Sequence, residues 1–405
     1  MKVLQVNCVY KSGSTGKIVD CIGQELRALG HEVITCYGNG KAGVDEYSQK
    51  VCTQFEHNFN AVYGRVIGIP FGGIYMSNLR LYRIIKSFQP DVIHIHCING
   101  YTFNVYSLLR YCAKHRQKTV VTLHAEIFHT AGCAHAYECD KWKDGCHDCE
   151  VYKANGISWF FDQSRTSWKK MYNAVNSFDT QDLTITAVSP WLAERAKQSG
   201  IMKRYNIVYV PNGLDTSVFH RRDSVGLINR NSYQKVILFV TPWFSHRTND
   251  LKGGRYLPTI ARSLPDFLFV VVASRASSEL EVMPDNVKLW GRAKTQEELA
   301  QLYSEADMTL LLSRRETFSM VTAESLCCGT PVVGFKAGGP ESIAIPTASS
   351  FVEYGDIDAL INQLRKETSQ ISNNDFSEEA QSSYGSKSMS CEYMRVYRQL
   401  CNQTS

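Results

Sequence analysis

No stretch of this 405-residue chain is long and apolar enough to span a bilayer. The longest unbroken apolar run, Phe267–Ala273, is seven residues, against the ~20 a spanning helix needs. A secretory apolar core is missing too, since Met1-Lys2-Val3-Leu4-Gln5-Val6-Asn7 turns polar after two apolar side chains. Nor is there a large excess of one charge. The 44 Lys+Arg against 39 Asp+Glu leave +5, which calls for no nucleic-acid partner but leaves room for local basic patches. Repeats at solenoid periods are absent. These absences predict a soluble, cytoplasmic protein, in whose reducing compartment the 14 cysteines are not a disulfide framework. Ten are scattered along strand-like and helix-like segments as small hydrophobes.

What is present is an ordinary folded composition, 44% hydrophobic and 20% charged, long enough for two or three domains. Short β-branched runs alternate with helical patterns. Lys2–Asn7, Glu32–Tyr37, Asp91–His96, Thr119–His124 and Thr184–Ser189 read as strands, and the pattern restarts at Lys235 with Val236–Thr241, Phe267–Ala273, Val287–Trp290, Met308–Leu312 and Pro331–Phe335. Such alternation predicts an α/β protein with two doubly wound parallel sheets, Rossmann-like, facing across a cleft. The expected domains are 1–205, with a Cys-rich insert at 129–150, and 206–380. Asp215–Gln234 serves as a polar linker, and Glu367–Ser388 as loop. Residues 381–405, with a helix at Cys391–Leu400, are expected to pack back on the first domain. Ligands of open parallel sheets bind beyond the carboxyl ends of the strands, so the residues to weigh sit just after strands.

After Met308–Leu312 comes Ser313-Arg314-Arg315-Glu316-Thr317-Phe318-Ser319-Met320-Val321-Thr322-Ala323-Glu324. Glu316 falls in the strand-to-helix turn and Glu324 on the helix. The N–H groups of Phe318, Ser319, Met320 and Val321 make a helix N-terminus suited to an anion. A diphosphate on those N–H groups, with one carboxylate on sugar hydroxyls and the other on ribose, suits a nucleotide-sugar. The stretch Glu316–Glu324 resembles the E-x7-E motif of retaining glycosyltransferases of family 4, which have the two-domain GT-B fold. Ala337-Gly338-Gly339-Pro340-Glu341, Val210-Pro211-Asn212-Gly213-Leu214-Asp215 and the glycine loop Ser12–Gly16 extend the resemblance over essentially the whole chain.

The resemblance implies that Glu316 contacts the donor sugar, Glu324 the ribose, and Gly16 the donor phosphates; the competing reading of Gly16 is a tight turn before a helix. Family members carry an Arg and a Lys-Gly that clamp the diphosphate. Lys252-Gly253 matches well and Arg247 loosely, a solvated loop arginine being the alternative there. His124 matches a histidine placed near sugar and acceptor, and competes with a buried core histidine. Glu126 supplies a carboxylate nearby, while His96 and Asn99 could reach an acceptor. The one Asp-x-Asp, Asp356-Ile357-Asp358, reads as helix capping, which argues against metal-dependent chemistry.

Cys133, Cys139, Cys146 and Cys149 follow the spacing C-x5-C-x6-C-x2-C. In a reducing compartment they favour a structural zinc over no metal. A similar cysteine-rich insert occurs in family 4 enzymes resembling those that build colanic acid and other exopolysaccharides. Ser158-Trp159-Phe160-Phe161 followed by Arg165, Lys169 and Lys170 is aromatic and basic together, as a surface meeting an anionic membrane would be; buried aromatics with solvated lysines are the alternative. The expected function is a retaining glycosyltransferase, moving a hexose or N-acetylhexosamine from a nucleoside-diphosphate sugar to a saccharide or lipid-linked saccharide acceptor. It would work without nucleic acid and without a catalytic cofactor, in the cytoplasm or peripherally on the inner membrane face. The rivals are a silent nucleotide-sugar-binding protein and an epimerase on the same fold.

Overall fold

The computed structural model describes residues 1–40, 45–73, 76–98, 100–130, 132–154, 156–245, 247, 250–276, 283–366 and 375–402. The chain forms two compact units, Met1–Gly213 with Met389–Ser405, and Leu214–Ser388.

The first unit holds strands β1 (Lys2–Val9), β2 (Glu32–Asn39), β3 (Ser48–Lys50), β4 (Val92–Ile95), β5 (Thr119–Leu123), β6 (Leu183–Ala187) and β7 (Asn206–Tyr209). They pair in the order 3-2-1-4-5-6-7, and every pairing is parallel. Its helices are α1 (Gly13–Ala28), α2 (Gln54–Ile67), α3 (Met76–Phe88), α4 (Val105–Lys114), α5 (Ile127–Thr130), α6 (Val151–Ala154), α7 (Ser164–Val175) and α8 (Pro190–Gln198). Strands such as Val92–Ile95 and Thr119–Leu123 are buried along their whole length, which is why they show no alternation of apolar with charged side chains.

The second unit holds β8 (Lys235–Phe244), β9 (Phe267–Ala276), β10 (Val287–Gly291), β11 (Met308–Leu311), β12 (Val332–Phe335) and β13 (Ser349–Val352), in the order 10-9-8-11-12-13 and again parallel. Its helices are α9 (Leu257–Ser263), α10 (Gln296–Glu305), α11 (Met320–Cys327), α12 (Gly339–Ile343), α13 (Ile357–Lys366) and α14 (Asp375–Tyr384). Each sheet thus reverses strand order once, between β1 and β4 and between β8 and β11. That switch point is where open parallel sheets bind ligands. The last helix, α15 (Ser386–Asn402), returns to the first unit. There Met389, Tyr393, Tyr397 and Leu400 pack with Val3, Ile22, Val92 and Val120.

Three boundaries differ from the sequence reading. Residues 206–209 form β7 on the first sheet rather than opening the second domain. The polar stretch expected as a linker is strapped to the second unit: the buried Glu305 carboxylate accepts from the N–H groups of Val225 and Ile228 at 2.9 and 2.8 Å, and Ser304 Oγ accepts from Arg222 N–H at 3.1 Å. The expected loop before the last helix contains α14, which buries Phe376, Ala380 and Tyr384; residues 367–374 lie outside the described part. Asp356 Oδ1 accepts from Ala359 N–H at 3.0 Å at the start of α13, the capping role expected of the Asp-x-Asp.

Candidate active site

The switch point of the second sheet is where Lys252 and Glu316 meet. β8 and β11 are neighbours, and the loops leaving them carry these two residues. Asp250 shapes the first loop, its carboxylate accepting from the N–H groups of Lys252 and Gly254 at 3.1 and 3.2 Å. Gly253 takes φ +73°, and a Cβ there would come within 2.1 Å of Leu312 O. Only glycine therefore lets this loop lie on the end of β11, and that contact brings Lys252 to the turn beyond it. Arg314 N–H donates to Leu251 O at 2.9 Å, holding the two loops together.

Glu316 is fixed from three directions. Its N–H donates to Ala337 O at 3.0 Å and its carbonyl accepts from Gly339 N–H at 2.9 Å. Its Oε1 accepts from Ser313 Oγ at 2.8 Å and pairs with Lys252 Nζ. Four residues on, Met320 opens α11. Its cap residue Ser319 has φ +83°, a sparsely populated conformation for a residue with a Cβ, and accepts through Oγ from Thr322 N–H at 3.2 Å. Phe318 is buried with its ring edge-on to Tyr384 at 5.9 Å; Met320 and Val321 are half-buried. The N–H groups of Phe318, Ser319, Met320 and Val321 have no acceptor among the described residues, so a helix N-terminus with unspent donors sits beside the Lys252–Glu316 pair. Glu324, one turn further along α11, accepts from Tyr303 Oη at 3.0 Å. Burial and this carboxylate hold the Tyr303 hydroxyl well above its ordinary pKa, so it remains a donor. Arg247 is exposed, with its N–H donating to Ser245 Oγ at 3.2 Å.

In the first unit, His124 follows β5 and His96 follows β4. Gln5 donates from Nε2 to Val19 O at 3.1 Å, which turns its Oε1 toward His96 Nε2 at 3.2 Å. Burial, then His94 and His124, push the His96 pKa well below 6.5, so His96 is neutral and its Nε2–H donates to Gln5. Its Nδ1 must then accept from His124 Nε2–H, 3.3 Å away. Burial drives His124 down to about 4. Both imidazoles border a small apolar cavity lined also by Phe71, Val105, Phe128 and Met171. Gly16 lies buried in the first turn of α1, where a Cβ would meet Val9 at the end of β1 and Lys11 of the following loop at 3.2 and 3.3 Å. Asn99 lies outside the described residues.

Glu126 does not line an acceptor site. It is fully buried and accepts from Arg195 Nε at 2.6 Å, Ala136 N–H at 2.8 Å and His129 Nε2 at 3.3 Å. Burial raises its pKa, but these partners outweigh that and bring it to about 2, so it is a structural anion. The Cys-rich insert is anchored by Trp142, fully buried with Nε1 donating to Cys139 O at 2.6 Å, and it has a core attachment of its own. The Cys133 and Cys149 thiols act on each other, raising the pKa of Cys133, whereas Cys139 is exposed and Cys146 donates to Thr130 O at 3.3 Å. Among the described residues no three Cys, His, Asp or Glu side chains converge as metal ligands.

A family model described as Glycosyltransferase Family 4 matches residues 16–218, half of the chain. The chain belongs to that family. A second model, Glycosyl transferases group 1, matches residues 261–383 and so contains Glu316 and Glu324. The putative colanic acid biosynthesis glycosyl transferase WcaC of Escherichia coli (strain K12) is 21% identical over 427 residues, 99% of this chain and 100% of that protein. The D-inositol 3-phosphate glycosyltransferase of Segniliparus rotundus is 29% identical over 163 residues, 36% of this chain and 35% of its own length. Among solved structures, sucrose-phosphate synthase from Thermosynechococcus elongatus superposes with TM-score 0.71 at 16% identity, both chains covered in full. Anabaena Alr3699/HepE in complex with UDP superposes with TM-score 0.67 at 16% identity over 98% of this chain and 100% of that one. This family 4 glycosyltransferase therefore has the GT-B fold.

Sequence reasoning missed Ser313, Tyr303, Asp250 and Gln5. Asp250 carried a local signal, an Asp four residues before Gly254, and Ser313 stands three before Glu316. Tyr303 and Gln5 reach their partners across 21 and 91 residues and left none.

Proposed function

We propose that this glycosyltransferase moves a hexosyl or N-acetylhexosaminyl group, with retained anomeric configuration, from a nucleoside-diphosphate sugar to a saccharide or lipid-linked saccharide in cell-surface polysaccharide assembly. The observation that carries the reading is the Lys252–Glu316 pair at the β8/β11 switch point, beside the open N–H groups of α11. A diphosphate on those N–H groups offers Lys252 a denser anion than one carboxylate. Glu316, still held by Ser313, then accepts from donor-sugar hydroxyls, and Glu324, oriented by Tyr303, from the ribose. In the transfer the bond from C1 to the diphosphate oxygen breaks while the acceptor oxygen bonds C1 from the same face. The acceptor proton passes to the leaving phosphate. Charge grows on the diphosphate in the transition state, where a fixed ammonium and oriented N–H groups act most strongly. Support for the acceptor class is the full-length match to a relative named for colanic acid biosynthesis, and for the donor class a structural neighbour in complex with UDP.

Thermal unfolding against UDP-, GDP-, ADP- and dTDP-sugars tests the donor site. A ligand at 100 times its Kd adds about 2.7 kcal/mol, and Glu324→Ala should abolish the shift given by the one stabilising nucleotide class. If no sugar nucleotide shifts the transition at millimolar concentration, the reading fails. With donor and acceptor in hand, the product anomer read by NMR tests retention.

A further inference from the structure

Helix α2 is built inside out. Its buried face is Glu56, Asn60 and Gly64. Glu56 closes a capping box with Thr53 and pairs with Arg80 of α3 at 2.6 Å, while Asn60 donates to Tyr101 O at 3.3 Å. The outward face carries Phe55, Phe59, Val62, Tyr63 and Val66, with Phe55 75% exposed. Phe55, Phe59 and Tyr63 stack in a row at 6.5 and 5.9 Å between centroids. No charge interrupts this face: the other charged residue of the helix, Arg65, lies with its guanidinium 4.9 Å over the Tyr101 ring. A helix on a water-facing surface ordinarily presents the opposite pattern.

The apolar surface continues beyond the helix. Trp159 N–H donates to Arg65 O at 2.8 Å, and Gly68 at the end of α2 packs against Ser158 and the Phe161 carbonyl. The triplet Trp159, Phe160 and Phe161, each more than half exposed, is thereby set at the carboxyl end of α2.

Positive charge gathers on the same segments. Residues 54–89 hold four Lys/Arg against one acidic residue, and residues 151–178 again four against one, so these two stretches alone exceed the +5 of the whole chain. On α3 the exposed Arg83 and Lys86 share a helix face with the exposed Met76 and Leu79. Rings that sit at headgroup depth, with cations beside them to reach phosphates, match an anionic bilayer surface. A second copy of this chain would bring two net-positive rims together, which like-charge repulsion disfavours.

We propose that α2 and the Trp159–Phe161 loop dock this enzyme on an anionic lipid surface. No helix among the described residues is long and apolar enough to cross a membrane, so the contact is one of lying on the surface. The proposal goes beyond the assigned transfer reaction, and lipid binding is measured without donor or turnover, so either can fail alone.

The test is co-sedimentation of the full chain with phosphatidylglycerol/phosphatidylcholine vesicles and with phosphatidylcholine alone. Binding to the anionic vesicles at low salt is expected, several-fold weaker at 0.5 M salt as charges are screened. The Phe55→Ser/Phe59→Ser/Phe160→Ser variant should partition at least about tenfold less, and Arg83→Gln/Lys86→Gln should lose the preference for anionic lipid. Unchanged thermal unfolding of both variants, with and without donor, shows that the fold is intact. Absence of vesicle binding, or unchanged binding in the triple variant, overturns the proposal. A concentration-dependent dimer in sedimentation that the triple variant dissociates also overturns it, placing a second copy on this face.

Discussion

Lys252 Nζ and Ser313 Oγ converge on one oxygen of Glu316, Oε1. An ammonium drawn from the β8 loop and a hydroxyl at the end of β11 thus hold the carboxylate that opens the family motif. The pair is partly exposed, Lys252 by 34% and Glu316 by 17% of its side-chain surface, so it serves the site more than the fold.

Replacing Glu316 by Gln should accordingly leave stability within about 1 kcal/mol while lowering kcat by roughly a hundredfold. Lys252→Ala should do the same with a further loss of donor affinity, because the leaving diphosphate loses its fixed cation. Unfolding curves and steady-state kinetics, measured side by side, separate the two effects; a fall in stability equal to the fall in activity would contradict this assignment.

Tyr303 acts one step back from the donor. Tyr303→Phe removes a single hydrogen bond to Glu324, a change of about 0.5–1.5 kcal/mol, and should raise KM for the sugar nucleotide about three- to tenfold with kcat nearly unchanged. A drop in kcat instead would place Glu324 nearer the reacting carbon than the ribose.

Much of the parallel architecture was legible because short β-branched and apolar segments such as Phe267–Ala273 in β9 alternate with helical patterns. Glu316, Glu324 and Lys252 stood out in the sequence through their likeness to the family's motifs, and each follows a strand of the second sheet. What stayed hidden depends on distant partners. Glu126 looked like a site carboxylate until Arg195, 69 residues away, and Ala136 in the insert claimed both its oxygens. The polar stretch 215–234 looked like a linker because its anchor, Glu305, lies 77 residues beyond Ile228. Residues 206–209 carry too short a pattern to show that they finish the first sheet.

Glu126 offers a direct contrast between structure and chemistry. Glu126→Gln leaves the Arg195 guanidinium without its anion and should cost roughly 3 kcal/mol of stability. Turnover per folded molecule should stay within a few-fold, with the pH–rate profile unmoved. A profile that loses its acidic limb in this variant would restore Glu126 to the reaction.

His94 and His96 make folding sensitive to acid. Both are fully buried, and burial, reinforced by the neighbouring imidazoles, holds both well below 6.5. The unfolded chain takes up protons near pH 6.5 that the folded chain refuses. The stabilising difference is therefore complete above that pH and is lost as pH falls toward the folded-state values, at about 1.4 kcal/mol per pH unit for each histidine. Denaturant unfolding at pH 7.5 and 5.5 should show this loss, and His96→Gln should flatten it. In the same variant, His124 has a different partner at its Nε2–H, so a change in turnover at pH 7.5 would report the role of its tautomer.

The turn that presents Glu316 rests on Gly339. A Cβ at that position would meet Thr317 C at 2.5 Å and Phe318 N at 2.7 Å, backbone atoms that a rotamer change cannot move aside. Gly339→Ala must therefore displace the segment between Glu316 and the start of α11, where Ser319 already holds φ +83°. Overpacking of this kind costs about 1–3 kcal/mol. Because the displaced atoms carry the N–H groups assigned to the diphosphate, the donor-induced thermal shift should shrink in Gly339→Ala, whereas a distant core substitution such as Leu364→Ala in α13 should lose stability and keep the shift. If Gly339→Ala loses stability but keeps the full donor shift, the N–H groups of Phe318–Val321 are not the phosphate site.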